Sequence, residues 1–281
     1  MAPYSLEQLI QEAGKLPPIP QTAMKALTMI RNPDTNASSL AKVIGMDQVL
    51  AAKVLRWANS AYFGLENRIL TVQQAIMVLG MKNIQELIMN SSVSDHLNRP
   101  VPGYELARGE LWQHALGTAI TAKLISKKRK LNIDEEAYFA GLLCDIGKLV
   151  FEKVLRDANN ISPEMASLPF QDMERLCFGF DHATLGAEMA RRWQLPDSLV
   201  SAIAYHHEPQ MTSSYHILVS TVHVANALVM IMGIGIGIDG LRYPLHEESL
   251  TRLGLGEEDL SEFVAQATEQ LSHAKELVRI G

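Results

Sequence analysis

An all-α fold is what this sequence predicts, and three observations predict it. Helix-starting pairs recur, each a capping residue three positions before Glu or Gln. Apolar residues between them return at intervals of three and four. No segment shows the period-two alternation, bounded by turn residues, that a hairpin needs. Taken in order, Ser5 with Gln8 starts a first helix that closes near Gly14, and Ala23, Leu27 and Ile30 mark a second. Residues 38–58 read as two short helices around Gly45, the later one carrying Leu50, Val54 and Leu55. Thr71 with Gln74 opens a helix through Ala75, Ile76 and Leu79 that closes near Gly80, and Asn83 with Glu86 opens another. The stretch NRPVPGY at 98–104 holds two prolines and a glycine, which breaks the pattern and divides the chain into a helical subdomain over 1–100 and a second over 101–281. In the second, helices are expected near 108–131, 134–155, 181–194, 197–207, 214–232 and 257–279, with Pro196 at a start and Pro209 just past an end.

Composition narrows the function classes. Of 281 residues, 47% are hydrophobic and 20% charged, which supplies a globular core. MAPYSLEQLIQEAG lacks the basic and apolar regions of a signal peptide, and no charge-free run reaches membrane-spanning length. Only Cys144 and Cys177 occur, which suits reduced thiols rather than a disulfide framework. Together these point to a cytoplasmic chain without a membrane partner. A net charge of −6 argues against a nucleic-acid partner, because such affinity rests on clustered cations. The one basic run, KKRK at 127–130, closes an apolar helix, where cations complement the macrodipole.

Two motif matches dissolve on inspection. Gly235, Gly237 and Gly240 satisfy G-x-G-x-x-G, but they follow an expected helix, whereas a dinucleotide site needs a strand there. The helix pair at 38–58 has a largely apolar second helix, VLAAKVLRWA, with too few polar side chains to read base edges. More informative are His114, His182, His206 and His207, each close to an expected helix, with Asp145 as an oxygen donor. This donor set suits a first-row transition metal, yet a histidine on an apolar helix is ordinarily a packed, hydrogen-bonded residue. As helical neighbours, His206 and His207 point about 100° apart and are expected to differ in role, while His223 and Asn226 share a face.

Three segments carry a family resemblance: LPPIPQTAMKALTMIRNPDTNASSLAKVIGMDQVLAAKVLRWANSAYFG, then ILTVQQAIMVLGMKNIQEL, then YFAGLLCDIGKLV. Together they resemble the HDOD family, the HD-related output domains of bacterial signalling proteins, over about residues 15–240, with ANSAYFG and QAIMVLG the most specific parts. The resemblance implies an N-terminal helical bundle packed on a bundle related to the HD phosphohydrolases, and a regulatory role more often than a catalytic one. It maps the HD ligand pattern onto His114, Asp145, His182, His206 and His207. Cys144 then stands where the His-Asp pair has its histidine, and Asn226 where a terminal aspartate is expected. A thiol must lose its proton to bind well, and Asn226 offers a neutral carbonyl in place of a charge. Asp145 is left as the sole obvious carboxylate, too little anionic charge for a pair of divalent cations. One divalent transition metal (iron, manganese or zinc) and no metal at all are expected on equal terms. The implied function is a signalling module that contacts other signalling proteins through a degenerate HD-type site. Its alternative is a metal-dependent phosphohydrolase acting on a nucleotide or cyclic dinucleotide. In ANSAYFG, the residues Asn59, Ser60 and Tyr62 are expected to satisfy buried backbone groups.

Overall fold

The computed structural model describes residues 5–13, 16–60, 63–156 and 168–280, with backbone alone at 12–13 and 273–280. Gly14 and Tyr62 therefore lie outside the described residues. No strand occurs among them, and an isolated antiparallel bridge joins Val101 to Leu106. The chain divides into two units. Pro17–His96 with Ser272–Gly281 form the smaller, and the N-terminal segment through Leu16 with Leu97–Leu271 forms the larger.

In the smaller unit, α2 (Gln21–Ile30), α3 (Ala37–Gly45) and α4 (Gln48–Ala58) pack in sequence around Ala26, Leu40, Ile44, Val54 and Trp57. Polar caps set their starts: Asn36 accepts from the Ser39 N–H at 2.9 Å, and Asp47 accepts from the Leu50 N–H at 3.0 Å. Thr22 donates to Asp47 at 3.0 Å and ties α2 to α4. Ahead of them in sequence but in the larger unit, α1 (Leu6–Ala13) has the expected capping box, with the Ser5 N–H donating to Gln8 at 2.8 Å and Ser5 Oγ accepting from the Gln8 N–H at 3.2 Å. Thr71 caps α5 (Val72–Leu97) by accepting from the Gln74 N–H at 3.1 Å. The expected cap at Asn83 is not there. Gly80, at φ 78° and ψ 165°, is non-helical and separates two helical stretches within α5, the end expected near that glycine, while Asn83 lies within the second stretch and donates to the Leu79 carbonyl at 2.8 Å.

The larger unit centres on α6 (Glu110–Arg129), buried on nearly every side, packed against α7 (Asp134–Leu143) and α12 (His216–Ile231). Between these in sequence come α8 (Lys148–Arg156), α9 (Phe170–Phe178), α10 (His182–Arg192) and α11 (Asp197–Tyr205); α13 (Glu247–Leu253) and α14 (Glu257–Ile280) follow. The basic run ending α6 is solvated as expected, with Lys128 donating to Glu262 at 2.6 Å.

The single helix expected over 134–155 is two. Residues 144–147 form successive tight turns, with the Ile146 N–H donating to Leu143 and the Lys148 N–H to Asp145. Gly147 closes this turn segment at a tight contact: a Cβ there would stand 1.9 Å from the His182 carbonyl oxygen and 2.7 Å from the Gly186 nitrogen. Only a residue without a side chain lets these backbones meet, and that approach brings Asp145 beside His182.

Candidate metal centre

The turn between α7 and α8 delivers Asp145 into the interior of the larger unit, 1% exposed. His114 reaches it from α6, its Nε2 3.2 Å from Asp145 Oδ2. His182 opens α10, where Asp181 caps by accepting from the Thr184 N–H at 2.7 Å, and its Nε2 lies 3.4 Å from Asp145 Oδ1. His206 Nε2 stands 3.7 Å from the same oxygen. His207 Nε2 is 3.1 Å from His182 Nε2, and its ring stacks on Tyr243 with centroids 3.8 Å apart.

Both members of the His206–His207 pair thus reach the centre, against the expected divergence. The reason is local: α11 stops at Tyr205, so His207 lies beyond the helix and its 100° rule. Ligand-type atoms of Asp145, His182, His206 and His207 all fall within 4.8 Å of one another, and all four residues are buried.

The surroundings hold more charge than the sequence suggested. Lys148 Nζ sits 3.1 Å from Asp145 Oδ1 and 2.8 Å from Asp239 Oδ2, walled by the rings of Tyr104 and Tyr243. Glu174 accepts from Tyr104 at 2.6 Å and from His182, whose Nδ1 lies 2.7 Å away. Burial alone would favour neutral forms, yet the partners outweigh it. Burial raises the Asp145 pKa, but Lys148 and the histidines hold it well below the usual carboxylate range. Burial lowers the His182 pKa, but Glu174 and Asp145 lift it to about 10. Lys148 is raised against its burial by Asp145 and Asp239, and His114 by Asp145. His207 goes the other way, pushed well below its ordinary value by burial and by His206 and His182.

The two substituted positions are placed differently. Asn226 is in the centre, with Oδ1 2.6 Å from His114 Nε2. Since His114 Nδ1 faces the Ile234 carbonyl at 2.9 Å, that imidazole lies among a neutral amide, one backbone oxygen and the Asp145 carboxylate. Cys144, fully buried, donates its thiol to the Gly141 carbonyl at 3.3 Å, and burial raises its pKa well above normal. Its sulfur is not among the clustered donor atoms. His223 stands behind His206: its Nδ1 donates to the His206 carbonyl at 2.8 Å, because Nε2 accepts from the His246 N–H at 3.0 Å.

The donor set fits one metal ion. Although charges surround it, neither Asp145 oxygen has a hydrogen-bond partner of good geometry, and His206 Nε2 has none; the ion-pair distances to Asp145 are short but poorly aligned. His182 and His206 also have the backing that orients a ligand imidazole, Nδ1 facing Glu174 in one and donating to the Ile203 carbonyl at 2.8 Å in the other. Among the described residues a second ion has no comparable place, because Lys148 already holds Asp239 and Asn226 offers no charge.

Sequence reasoning missed Lys148, Glu174 and Asp239. Lys148 left a signal, standing three residues after Asp145 at a helix start. Asp239 sits in the glycine-rich segment, a loop as its sequence predicts; its Oδ1 accepts from the Gly237 N–H at 3.2 Å, and the neighbouring Ile238 N–H donates to the Tyr104 carbonyl at 3.0 Å. Glu174, inside FQDMERLCF, had no spacing to mark it.

Among the described residues the units are helical without strands, and one of them encloses a carboxylate among imidazoles, which defines an all-α domain with a candidate metal centre. The chain belongs to the HDOD domain family, whose profile matches residues 16–209. It is similar in structure to an HDOD domain protein of unknown function from Geobacter sulfurreducens, at 24% identity and TM-score 0.73, covering 98% of each chain. A protein provisionally named for signal transduction, from Marinobacter aquaeolei VT8, aligns at 22% identity and TM-score 0.76 over 97% of this chain and 60% of that one. Another, provisionally named a phosphohydrolase, from Shewanella amazonensis SB2B, aligns at 24% identity and TM-score 0.69 over 96% and 97%. At these identities the likeness shows the fold alone. In sequence, the chain is 29% identical over 226 residues to an uncharacterized protein of Treponema pallidum (strain Nichols), covering 77% of this chain and 43% of that protein. The chain therefore spans less than half the length of this curated relative. No helix among the described residues is long and apolar enough to cross a membrane.

Proposed function

We propose that the chain is a regulatory module of bacterial signal transduction, cytoplasmic, acting through contacts with other signalling proteins around an HD-type centre that no longer hydrolyses phosphate esters. One observation carries this reading. The Lys148 ammonium is clamped between Asp145 and Asp239 in a centre whose His114, Asp145, Lys148, His182, His206 and His207 are each at most 3% exposed. A hydrolytic metal must present an open coordination position to a substrate phosphate. Here the only carboxylate of the donor cluster is already neutralised by a buried cation, and the cluster is enclosed. Fold kinship with enzymes does not transfer activity when the site has changed.

A second reading is favoured by the same donor cluster: a metal-dependent phosphohydrolase acting on a nucleotide or cyclic dinucleotide. Asp145, His182, His206 and His207 would hold the ion, with His114 beside Asp145, and the ion would acidify a water and polarise a phosphoryl oxygen. In that case the chain's own contribution is to orient His182 through Glu174 and His206 through the Ile203 carbonyl, and to offset anionic charge with Lys148.

Elemental analysis of the purified protein, followed by phosphodiesterase and phosphomonoesterase screens with added Mn, Fe, Zn or Mg, separates the two. The regulatory reading expects no turnover with any ion. Turnover abolished by Asp145→Ala overturns it.

A further inference from the structure

The smaller unit carries an open trough of about 770 Å³. One wall is the side of α4 bearing Ala52, Leu55, Arg56 and Asn59, the i, i+3, i+4, i+7 spacing of one helix face. The opposite wall is the irregular segment 65–70. Asn59 joins the two, donating to the Ile69 carbonyl at 2.9 Å and accepting from the Ile69 N–H at 2.8 Å.

Three features of this trough point to an occupant. Arg56 and Arg68 both line it against a single acid, Glu66, and among the described residues neither arginine has an ion-pair partner. Ser60 also lines it, with a side chain only 6% exposed and an Oγ that has no hydrogen-bond partner. A buried hydroxyl without a partner costs free energy, so a ligand able to meet it gains what the fold has left unmade. Leu70, also lining the trough, is 71% exposed. Two unpaired guanidinium groups fit carboxylates in bidentate geometry, and an adjoining exposed leucine fits an apolar side chain.

The wall shape favours a peptide over a compact small molecule. Along 65–70 the chain is irregular, and among the described residues the N–H groups of Glu66, Asn67 and Arg68 make no hydrogen bond. These three solvent-facing N–H groups can donate to carbonyl or carboxylate oxygens of a segment laid beside them. We propose that the trough docks an acidic, extended segment of a partner protein, with carboxylates on Arg56 and Arg68, a polar group on Ser60 and an apolar residue against Leu70. This deepens the protein-contact reading above and rests on it.

A random peptide library displayed on phage and selected on the full chain tests the docking. Selected peptides are synthesised with a fluorophore and titrated by anisotropy. The expected consensus combines acidic with apolar residues. Affinity should fall roughly tenfold for Arg56→Glu and again for Arg68→Glu, the equivalent of ~1.4 kcal/mol each. Leu70→Asp and Ser60→Ala should each weaken binding several-fold, and added salt should weaken it further. Ser60→Ala removes no hydrogen bond of the fold, so its effect on binding is separable from stability. A consensus without acidic residues, or peptides that bind the charge-reversed variants equally well, overturns the proposal. So does inorganic phosphate or citrate shifting the Ser60 and Arg56 NMR signals while no peptide does. None of these outcomes produces phosphoesterase turnover, the separate result that would overturn the regulatory reading.

Discussion

The centre around Asp145 and the trough beside Asn59 treat charge in opposite ways. In the larger unit, Asp145, Asp239 and Glu174 are met by Lys148, His114 and His182 inside a low-dielectric interior. In the smaller unit, Arg56 and Arg68 face an open cavity with no ion pair among the described residues. Charges sealed and matched inside a domain hold its interior in one arrangement, and breaking a pair there is costly. Charges left unmatched at a surface contribute little to stability and remain available to steer and select a partner.

The largest effect should come from breaking the sealed side. Lys148→Met removes the ammonium and leaves Asp145 and Asp239 buried without it, which should cost about 3–5 kcal/mol. Urea unfolding measures this, and Arg56→Glu should stay within ~0.5 kcal/mol of wild type in the same assay. Equal, small changes in both variants would erase the contrast between the regions.

Next in size is a pH effect rooted behind the centre. Burial lowers the His223 pKa to about 4, below the roughly 6.5 of an unfolded histidine. Above pH ~6.5 both states are neutral and the full stability is present. As pH falls from there towards 4, the unfolded chain takes a proton that the folded state refuses, and stability drops by ~3 kcal/mol at most. His182 in the metal-free protein has the opposite sign. Its folded pKa of about 10 gives stability that is complete below the unfolded value and is lost as pH rises through 10. Unfolding curves from pH 4 to pH 7 for wild type and His223→Asn should converge at low pH, because the variant has no proton to gain there. Parallel curves would remove His223 from the account.

Much of this architecture was legible in the chain. The Ser5 and Thr71 caps, the helix pair at 38–58 and the loop at 233–240 followed from local chemistry that needs no knowledge of distant residues. What was not legible depends on long-range contact. AGLLCDIGKLV reads as one apolar helix because nothing within it shows that the His182 carbonyl will press on Gly147. The same break separates the fates of two neighbours: Asp145 enters the charged centre, while Cys144 turns its thiol back to Gly141. The convergence of the histidines came from the family resemblance, since spacing along helices could not bring four elements together. Lys148, Glu174 and Asp239 read as ordinary helix and loop charges because their partners lie in other elements or, for Lys148, across a helix break.

The smallest expected effect sharpens the comparison within the trough itself, where Asn59 and Ser60 are adjacent and play different parts. Asn59 makes three hydrogen bonds, to the Leu55 carbonyl at 2.8 Å and to both backbone groups of Ile69. Asn59→Ala leaves the Ile69 N–H and carbonyl without this partner while Ile69 is buried, and should cost about 1–3 kcal/mol. Ser60→Ala removes a hydroxyl with no partner and should be neutral or slightly stabilising, since it relieves an unmet polar atom. Thermal unfolding of the two variants side by side measures the difference. Amide exchange at Ile69 adds its location, because loss of protection there in Asn59→Ala alone ties the cost to the wall of the trough. If Ser60→Ala proves as destabilising as Asn59→Ala, the hydroxyl is satisfied within the fold and is not waiting for a ligand.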